Sequence, residues 1–311
     1  MTALRPFRFG VIAYDAQSKE EWIAKARRIE QLGYATLLVP DHLGKQLAPV
    51  PAILTAVEAT RSLRVGSYVF DNDFRHPVML AKEAATLDVL TGGRFELGVG
   101  AGYLRSEYEQ SGLTYDAASV RVSRLQETIQ VVKGLFAEEP LTFSGRYYTV
   151  TNLDGFPKPV QRPHPPLLIG GAGKRLLTLA AREASIVSLG AKAQGDGSGL
   201  DATDTTPAAT RQKVAWIRQA AGERFDQLEL NMIMYEVVVT EDRHHIARQL
   251  AGRFKTTDEQ VLTLPHCLIG TPDQISEDVQ RRREQYGISY IAVFDEHSEA
   301  FAPVVARLAG T

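Results

Sequence analysis

Hydrophobic and polar positions follow two alternating patterns along this chain, and the stretch 63–102 shows both of them. Residues 63–70 are rich in β-branched and aromatic side chains, which is typical of a buried strand. After Pro77, apolar residues recur at helical spacing until two glycines end the pattern. Residues 95–99 then alternate between apolar and other positions, which predicts a second strand. This order predicts a right-handed strand–helix–strand unit of a parallel sheet.

The same alternation continues through the whole chain. The predicted strands are residues 7–13, 35–40, 63–70, 95–99, 167–169, 186–189, 230–240 and 289–294. The predicted helices are residues 18–33, 51–60, 77–92, 120–137, 176–183, 208–221, 272–286 and 301–308, with Ser18 and Thr271 as caps. Eight strands that alternate with helices favour an α/β fold, the (β/α)8 TIM barrel. An open doubly wound sheet is the alternative, but Ala13-Tyr14-Asp15 stands where its glycine fingerprint would follow the first strand.

Two segments interrupt the pattern. Residues 141–150 predict a β-hairpin around Ser144-Gly145, and the proline-rich passage 157–166 behind it is expected to be an ordered loop. Residues 190–207 are poor in apolar side chains and predict a mobile loop. We therefore expect one barrel domain over residues 1–311, with insertions at about 141–166 and 190–208.

Composition excludes several classes of protein. The 311 residues include 35 basic and 37 acidic side chains, so a nucleic-acid footprint is not expected. The single cysteine, Cys267, permits no internal disulfide, and its apolar neighbours predict a buried thiol. The first ten residues lack the apolar core of a signal peptide, and no apolar run is long enough to cross a bilayer. These features predict a cytoplasmic protein that binds neither nucleic acid nor membrane.

Barrel enzymes build their sites at the carboxyl ends of the strands, and Asp41-His42 follows the second strand directly. Imidazole can donate or accept a proton near neutral pH, and an adjacent carboxylate could fix its tautomer. The alternative is an exposed histidine in an Asx-type loop. Tyr14 and Tyr103 stand at the ends of the first and fourth strands.

Glycines mark two further strand ends. Residues 98–102 (GVGAG) carry almost no side chains, so we expect some group to approach that backbone closely. The loop after the fifth strand combines flexible backbone, two cations and a helix start, which suits a phosphate; its residues are Gly170, Gly171, Ala172, Gly173, Lys174 and Arg175. An ordinary βα turn is the alternative, because the loop does not match a Walker A motif. Metal motifs such as HExxH and CxxC are absent from the sequence, so no metal is predicted.

Several longer stretches resemble one family. They are LVPDH at 38–42, FRHPVMLAKEAATLDVLTGGRFELGVGAG at 74–102, FSGRYY at 143–148, PKPVQRPHPPLLIGG at 157–171 and HCLIGTPDQISEDVQ at 266–280. Together they resemble the bacterial luciferase-like monooxygenase superfamily, in its branch of deazaflavin (coenzyme F-420) dependent oxidoreductases. The resemblance implies a TIM barrel with a flavin-type ring in its mouth, an insertion that closes over the substrate, and a homodimer.

The resemblance also implies roles for individual residues. Asp41 and His42 would lie beside the reactive ring, with His42 as proton donor or acceptor. The Tyr68–Val69 peptide falls where many members hold a non-proline cis bond against the ring, and Gly102, Tyr103 and Ser106 fall beside the cofactor. The loop from Gly170 to Arg175 falls on the cofactor phosphate region.

One departure bears on the direction of the reaction. Deazaflavin-dependent dehydrogenases of the family place a glutamate where Tyr103 stands and an asparagine near Ser106. Their replacement favours a reductive role, in which hydride reaches a C=C, C=N or C=O bond and Tyr14, Tyr103 or His42 protonates the product.

Three functions therefore stand as hypotheses. The leading one is a deazaflavin-dependent oxidoreductase that transfers hydride to or from a small organic substrate. The second is an FMN-dependent monooxygenase of the same fold, and in either case a separate reductase system would supply the reduced cofactor. The third is a non-catalytic barrel that binds a ligand or a partner subunit.

Overall fold

The computed structural model describes residues 4–194 and 200–311, and its centre is a closed barrel of parallel strands. The barrel strands are β1 (Arg8–Ile12), β2 (Thr36–Val39), β3 (Arg64–Ser67), β4 (Phe95–Gly100), β5 (Leu167–Gly171), β6 (Ile186–Leu189), β7 (Glu229–Ile233) and β8 (Ile288–Phe294). Pairing of β1 with both β2 and β8, and of β3 with β4, closes the ring. The predicted (β/α)8 barrel is confirmed, and a closed sheet rules out the open doubly wound alternative.

Helices surround the barrel. Those within the described residues are α1 (Lys19–Gln31), α2 (Pro49–Ala59), α3 (Pro77–Leu90), α4 (Arg105–Ser111), α5 (Ala118–Phe136), α6 (Lys174–Glu183), α7 (Pro207–Ala221), α8 (Arg243–Phe254), α9 (Asp258–Val261), α10 (Pro272–Tyr286) and α11 (Ser298–Leu308). The Ser18 side chain accepts a hydrogen bond from the Glu21 N–H, and Thr271 accepts one from the Gln274 N–H. Both predicted caps are therefore confirmed.

The predicted hairpin is present and interrupts the βα alternation between α5 and β5. Its strands, Leu141–Ser144 and Thr149–Leu153, pair antiparallel. The proline-rich loop that follows is anchored to the barrel, because the Gln161 N–H donates to Asp88 at 2.8 Å and its side chain donates to the Phe95 carbonyl at 2.8 Å. This anchoring agrees with the expected ordered loop.

The strand predicted over residues 230–240 is confirmed only in its first part, because the chain leaves the barrel within it. β7 ends at Ile233; Met234 still donates to the Ala292 carbonyl, but Tyr235 donates to the carbonyl of His266. The next segment, Glu236–Val239, pairs in parallel with Cys267–Gly270 in a separate outer sheet. One continuous apolar run thus serves two sheets, and hydrophobic pattern alone does not mark the point of exchange.

The segment 190–207 was predicted to be a mobile loop, but part of it has regular structure and contacts α7. Residues 195–199 of that prediction lie outside the described residues. A 3-10 turn forms at Ala202–Thr205. The buried Lys213 amino group binds the Asp204 carboxylate at 2.7 Å and the Gly190 carbonyl at 2.8 Å. This contact ties both ends of the segment to α7.

The two ends of the barrel differ in chemistry. At the amino ends of the strands, the buried carboxylate of Glu96 binds the guanidinium groups of Arg8 and Arg64, the latter at 2.7 Å. Apolar side chains such as Ile12, Leu38 and Leu168 fill the interior above this pair. The carboxyl ends of the strands therefore form the mouth in which a site can lie. Among the described residues, no helix is long and apolar enough to span a membrane.

Candidate active site

His42 receives a carboxylate partner at the mouth, and that partner is Glu107. The imidazole Nδ1 lies 3.0 Å from Glu107 Oε2, while the other carboxylate oxygen accepts the Leu43 N–H at 2.8 Å. The Glu107 side chain is 8% exposed, whereas the His42 side chain is 28% exposed. With Glu107 ionised the carboxylate can only accept, so Nδ1 carries a proton and Nε2 is the nitrogen left for a reactant.

The expected partnership between Asp41 and His42 is wrong. The Asp41 carboxylate forms an ion pair with Arg75 and accepts the Asp71 N–H at 3.0 Å. Consecutive residues at a strand end project to opposite sides, so sequence neighbours need not share a contact. Asp41 is thus a buried anchor for the loop after β3.

Glu107 was not predicted as a site residue, because the sequence pattern did not predict α4. The seven residues of α4 (RSEYEQS) carry little hydrophobic periodicity, so nothing in the pattern indicates which of its side chains turn inward. Its contact with His42 spans 65 positions of sequence. Ser106, predicted to bind cofactor, is an exposed residue of the same helix.

Tyr103 lies beside His42 with the two rings edge to face, their centroids 5.7 Å apart. Burial and then the charge of Glu107 raise the pKa of Tyr103, so the phenol keeps its proton at neutral pH. The side chain is nevertheless 55% exposed and accessible from the mouth. Tyr14, at the end of β1, is half-buried, and its carbonyl accepts the Leu47 N–H at 2.7 Å.

The peptide bond between Tyr68 and Val69 is cis, as the resemblance led us to expect. The Tyr68 hydroxyl lies 2.7 Å from both Ser188 Oγ and Asn231 Oδ1, so it connects β6 and β7. Burial raises the pKa of Tyr68, which keeps this phenol a donor. Neither Ser188 nor Asn231 was predicted, because each is a single polar residue inside an apolar strand.

The glycines of residues 98–102 are explained by protein groups. A Cβ added at Gly98 would lie 2.0 Å from the Ser67 carbonyl oxygen, and one at Gly100 would lie 2.6 Å from a Val69 methyl. Gly102 has a φ of +66°, and a Cβ there would lie 1.8 Å from the Tyr108 hydroxyl. The expected close approach is present, and its occupants are the segment Ser67–Val69 and Tyr108.

The loop after β5 leads into α6 with an open amino terminus. Gly173 is the N-cap, and a Cβ there would meet nothing within 4 Å. Since glycine offers no capping side chain, the first N–H groups of α6 remain available for an anion. Arg175 is directed away, because its guanidinium donates to the Ser119 carbonyl and Ser123 Oγ at 2.6 and 2.7 Å. Both cations of the loop are exposed, and because Arg175 is engaged by α5, Lys174 is the one that remains for an anion.

Within residues 4–194 and 200–311, no group of three or more His, Cys, Asp or Glu side chains converges on a point that could hold a metal ion. Cys267 is buried, as predicted, and burial raises the pKa of its thiol to about 12. The thiol is therefore protonated at neutral pH and a poor nucleophile.

Comparison with known proteins identifies relatives of this architecture. The family model of luciferase-like monooxygenases matches residues 2–252. An F-420-dependent glucose-6-phosphate dehydrogenase of Microbacterium testaceum is 32% identical over 186 residues, 57% of this chain and 54% of that protein. An FMNH(2)-dependent dimethylsulfone monooxygenase of Pseudomonas putida is 32% identical over 124 residues, 40% of this chain and 34% of that protein. The chain thus spans about half of the first relative and about a third of the second.

The fold is shared over nearly the full length. The coenzyme F-420-dependent tetrahydromethanopterin reductase of Methanopyrus kandleri superposes with a TM-score of 0.78 at 17% identity, covering 98% of this chain and 99% of that one. The family model, which covers most of the chain, carries the assignment. The chain belongs to the luciferase-like monooxygenase family.

Proposed function

We propose that this chain is a deazaflavin-dependent oxidoreductase that transfers hydride to a C=C, C=N or C=O bond of a small organic substrate. The observation that carries the proposal is the pairing of His42 with the buried carboxylate of Glu107 beside the exposed phenol of Tyr103. The Microbacterium testaceum relative, which is 32% identical over 186 residues and is named as F-420-dependent, supports this choice of cofactor.

The residues of the mouth fit such a cofactor at both of its ends. The segment Tyr68–Val69 is held rigidly, with the Tyr68 hydroxyl tied to Ser188 and Asn231 and the Val69 side chain packed on Gly100. This segment would support the ring. The uncapped N–H groups of α6, with Lys174, would hold the phosphate, because a helix amino terminus combines free donors with a favourable dipole.

Bound deazaflavin supplies a two-electron hydride, since it carries carbon where flavin has N5. The protein then has to supply a proton and exclude competing acceptors. His42, with Nδ1 engaged by Glu107, presents Nε2 as the atom that donates or accepts that proton. Tyr103 is a second donor, because a phenol is protonated at neutral pH and this one lies beside His42.

Tyr103 also supports the reductive direction. A phenol that is protonated at neutral pH can donate a proton to a product, but it cannot accept the proton that oxidation of an alcohol releases. Tyr103 stands where the alcohol and sugar-phosphate dehydrogenases that this chain resembles place a glutamate. A separate reductase system would regenerate the reduced cofactor.

We further propose that the chain acts as a homodimer through α3 and the loop behind it. Met79 and Leu90 on α3 are 51% and 57% exposed, and Phe156 and Val160 in the loop are 80% and 52% exposed. Val160 lies beside the turn at Gly93 that ends α3, so the loop borders the helix. Contiguous exposed apolar surface is the usual mark of a protein–protein contact.

The proposal is tested by turnover with reduced coenzyme F-420 and a panel of enones, imines and ketones, with and without oxygen. The expected result is oxidation of the deazaflavin that requires an organic acceptor and proceeds anaerobically. His42→Gln should abolish turnover while cofactor binding persists. Turnover that requires FMNH2 and oxygen would instead favour the monooxygenase, which the Pseudomonas putida relative supports as the second candidate.

A further inference from the structure

We infer that Tyr108 is a positioning residue that holds Glu107, and through it His42, in place by binding the loop after β3. This inference rests on the proposed role of His42 as the proton donor or acceptor. Tyr108 follows Glu107 in α4, and it is fully buried although the helix lies at the rim of the barrel.

The two neighbouring residues of α4 bind two different loops. Glu107 accepts the Leu43 N–H and contacts His42, both after β2. The Tyr108 hydroxyl lies 3.2 and 3.3 Å from the two carboxylate oxygens of Asp71 and 3.1 Å from Asp73 Oδ2, both after β3. A short helix with little amphipathic character is thereby fixed at two points.

The second point is itself anchored. Arg124 of α5 binds the Asp73 carboxylate at 2.9 and 3.2 Å and also pairs with Asp116 at 2.8 Å. The Asp71 N–H donates to Asp41, whose carboxylate pairs with Arg75. The loop after β3 is therefore a rigid base, and any movement of the Tyr108 hydroxyl relative to it breaks hydrogen bonds.

The start of α4 is fixed from the other side. Arg121 donates to the carbonyls of Ala101 and Gly102 at 3.0 and 3.3 Å, which sets the turn between β4 and α4. The Tyr108 hydroxyl fills the space beside Gly102. The polar tip of Tyr108 is thus the contact that sets the rotation of α4, while its ring packs edge to face on Tyr115 at 5.0 Å.

The rotation of α4 sets the distance between Glu107 and Nδ1 of His42. Near-attack geometry is sensitive to displacements of about 1 Å, which can cost on the order of 100-fold in rate. Loss of the Tyr108 hydroxyl alone should therefore affect the chemical step while the phosphate end of the site, on α6, remains unchanged.

The test compares Tyr108→Phe with Tyr34→Phe in the full-length protein. Tyr34 is a matched control, because its phenol is also buried and donates one hydrogen bond, to the Ser298 carbonyl at 2.8 Å. Three quantities are measured: kcat with reduced deazaflavin, the Kd of the cofactor, and the NMR resonance of the His42 Nδ1 proton in the cofactor-free protein.

The expected result for Tyr108→Phe is a kcat lowered about tenfold or more, an unchanged Kd and a broadened or lost Nδ1 proton resonance. Tyr34→Phe should leave all three as in the wild type. If Tyr108→Phe does not fold, Asp73→Ala removes one partner of the hydroxyl and should move kcat and the resonance in the same direction.

Wild-type kcat and an intact Nδ1 resonance in Tyr108→Phe would overturn the inference, as would equal losses in Tyr34→Phe. Failure of the proposed function gives a different pattern. In that case the wild type neither binds nor oxidises the deazaflavin, yet the Nδ1 resonance still reports whether Tyr108 positions His42.

Discussion

At the scale of single residues, the chemistry of the mouth depends on which carboxylate His42 meets. The sequence places Asp41 next to it, but the fold assigns Asp41 to Arg75 and brings Glu107 from α4 instead. Buried carboxylates hold a histidine tautomer only by direct contact, so the contact and not the sequence neighbour determines the role. The location of His42 at the mouth was predicted, because the alternation of strands and helices shows where each barrel strand ends.

Glu107→Gln tests that contact. In Glu107 one carboxylate oxygen accepts the Leu43 N–H and the other faces Nδ1 of His42. Glutamine replaces one of these oxygens with an NH2 group, which donates, so the His42 tautomer is no longer fixed. We expect kcat to fall about 100-fold with an unchanged cofactor Kd, measured by steady-state kinetics and fluorescence titration. Glu109→Gln on the same helix is the matched control, because its carboxylate is 63% exposed and should leave kcat unchanged. Equal kcat values for both variants would contradict the role given to Glu107.

Asp71 carries a pH prediction. Burial, with the charges of Asp73 and Asp41, raises the pKa of Asp71 to about 6. The folded state thus holds this proton more tightly than the unfolded state, whose aspartate pKa is about 3.9. The contribution of Asp71 to stability is therefore full below about pH 4 and is lost as the pH rises through about 6.

Asp71→Asn should remove this dependence of stability on pH. The amide oxygen can still accept the Asp73 N–H, and the buried charge is gone. We expect the stability of the variant relative to the wild type to rise by about 3 kcal/mol between pH 4 and pH 7, measured as the difference in unfolding free energy in urea. A difference that is constant across this range would show that the pKa of Asp71 is not raised.

At the scale of elements, the amino terminus of α6 makes a separate claim about phosphate binding. Gly173 has φ −85° and ψ 146°, which any residue adopts, and open space surrounds its Cβ position. Gly173→Asp should therefore cap the helix and stabilise it by about 0.3 kcal/mol. Its charge would occupy the anion site, so the Kd for deazaflavin should rise about tenfold or more.

Gly173→Asn is the control for charge, because asparagine caps a helix equally well without a negative charge. Binding should weaken less in this variant, as measured by the same fluorescence titration. If Gly173→Asp binds the cofactor as tightly as the wild type, the phosphate does not lie at α6.

Elements also show what could be predicted from the sequence. Seven of the barrel strands and the caps at Ser18 and Thr271 follow from local alternation and from turn chemistry. The end of β7 and the outer sheet were not predicted, because the switch of partner at Tyr235 depends on His266, 31 positions later. Contacts between residues far apart in sequence, such as Tyr68 with Ser188 and Asn231, were not predicted for the same reason.

At the scale of the whole molecule, we propose a single barrel domain that pairs through α3. Leu90→Glu places a charge in the proposed interface, and burial of an unpaired charge is costly. The variant should sediment as a monomer under conditions in which the wild type is a dimer. Leu4→Glu is the matched control, since Leu4 is 59% exposed and lies outside α3. A dimer that survives Leu90→Glu would place the interface elsewhere.

The most direct test of the whole account is a side-by-side fluorescence titration of the purified protein with coenzyme F-420 and with FMN. The account predicts binding of the deazaflavin with a Kd of about 1 μM or tighter, and FMN binding at least about tenfold weaker. The opposite preference would contradict a deazaflavin-dependent hydride transfer and would assign this mouth to oxygen-dependent flavin chemistry.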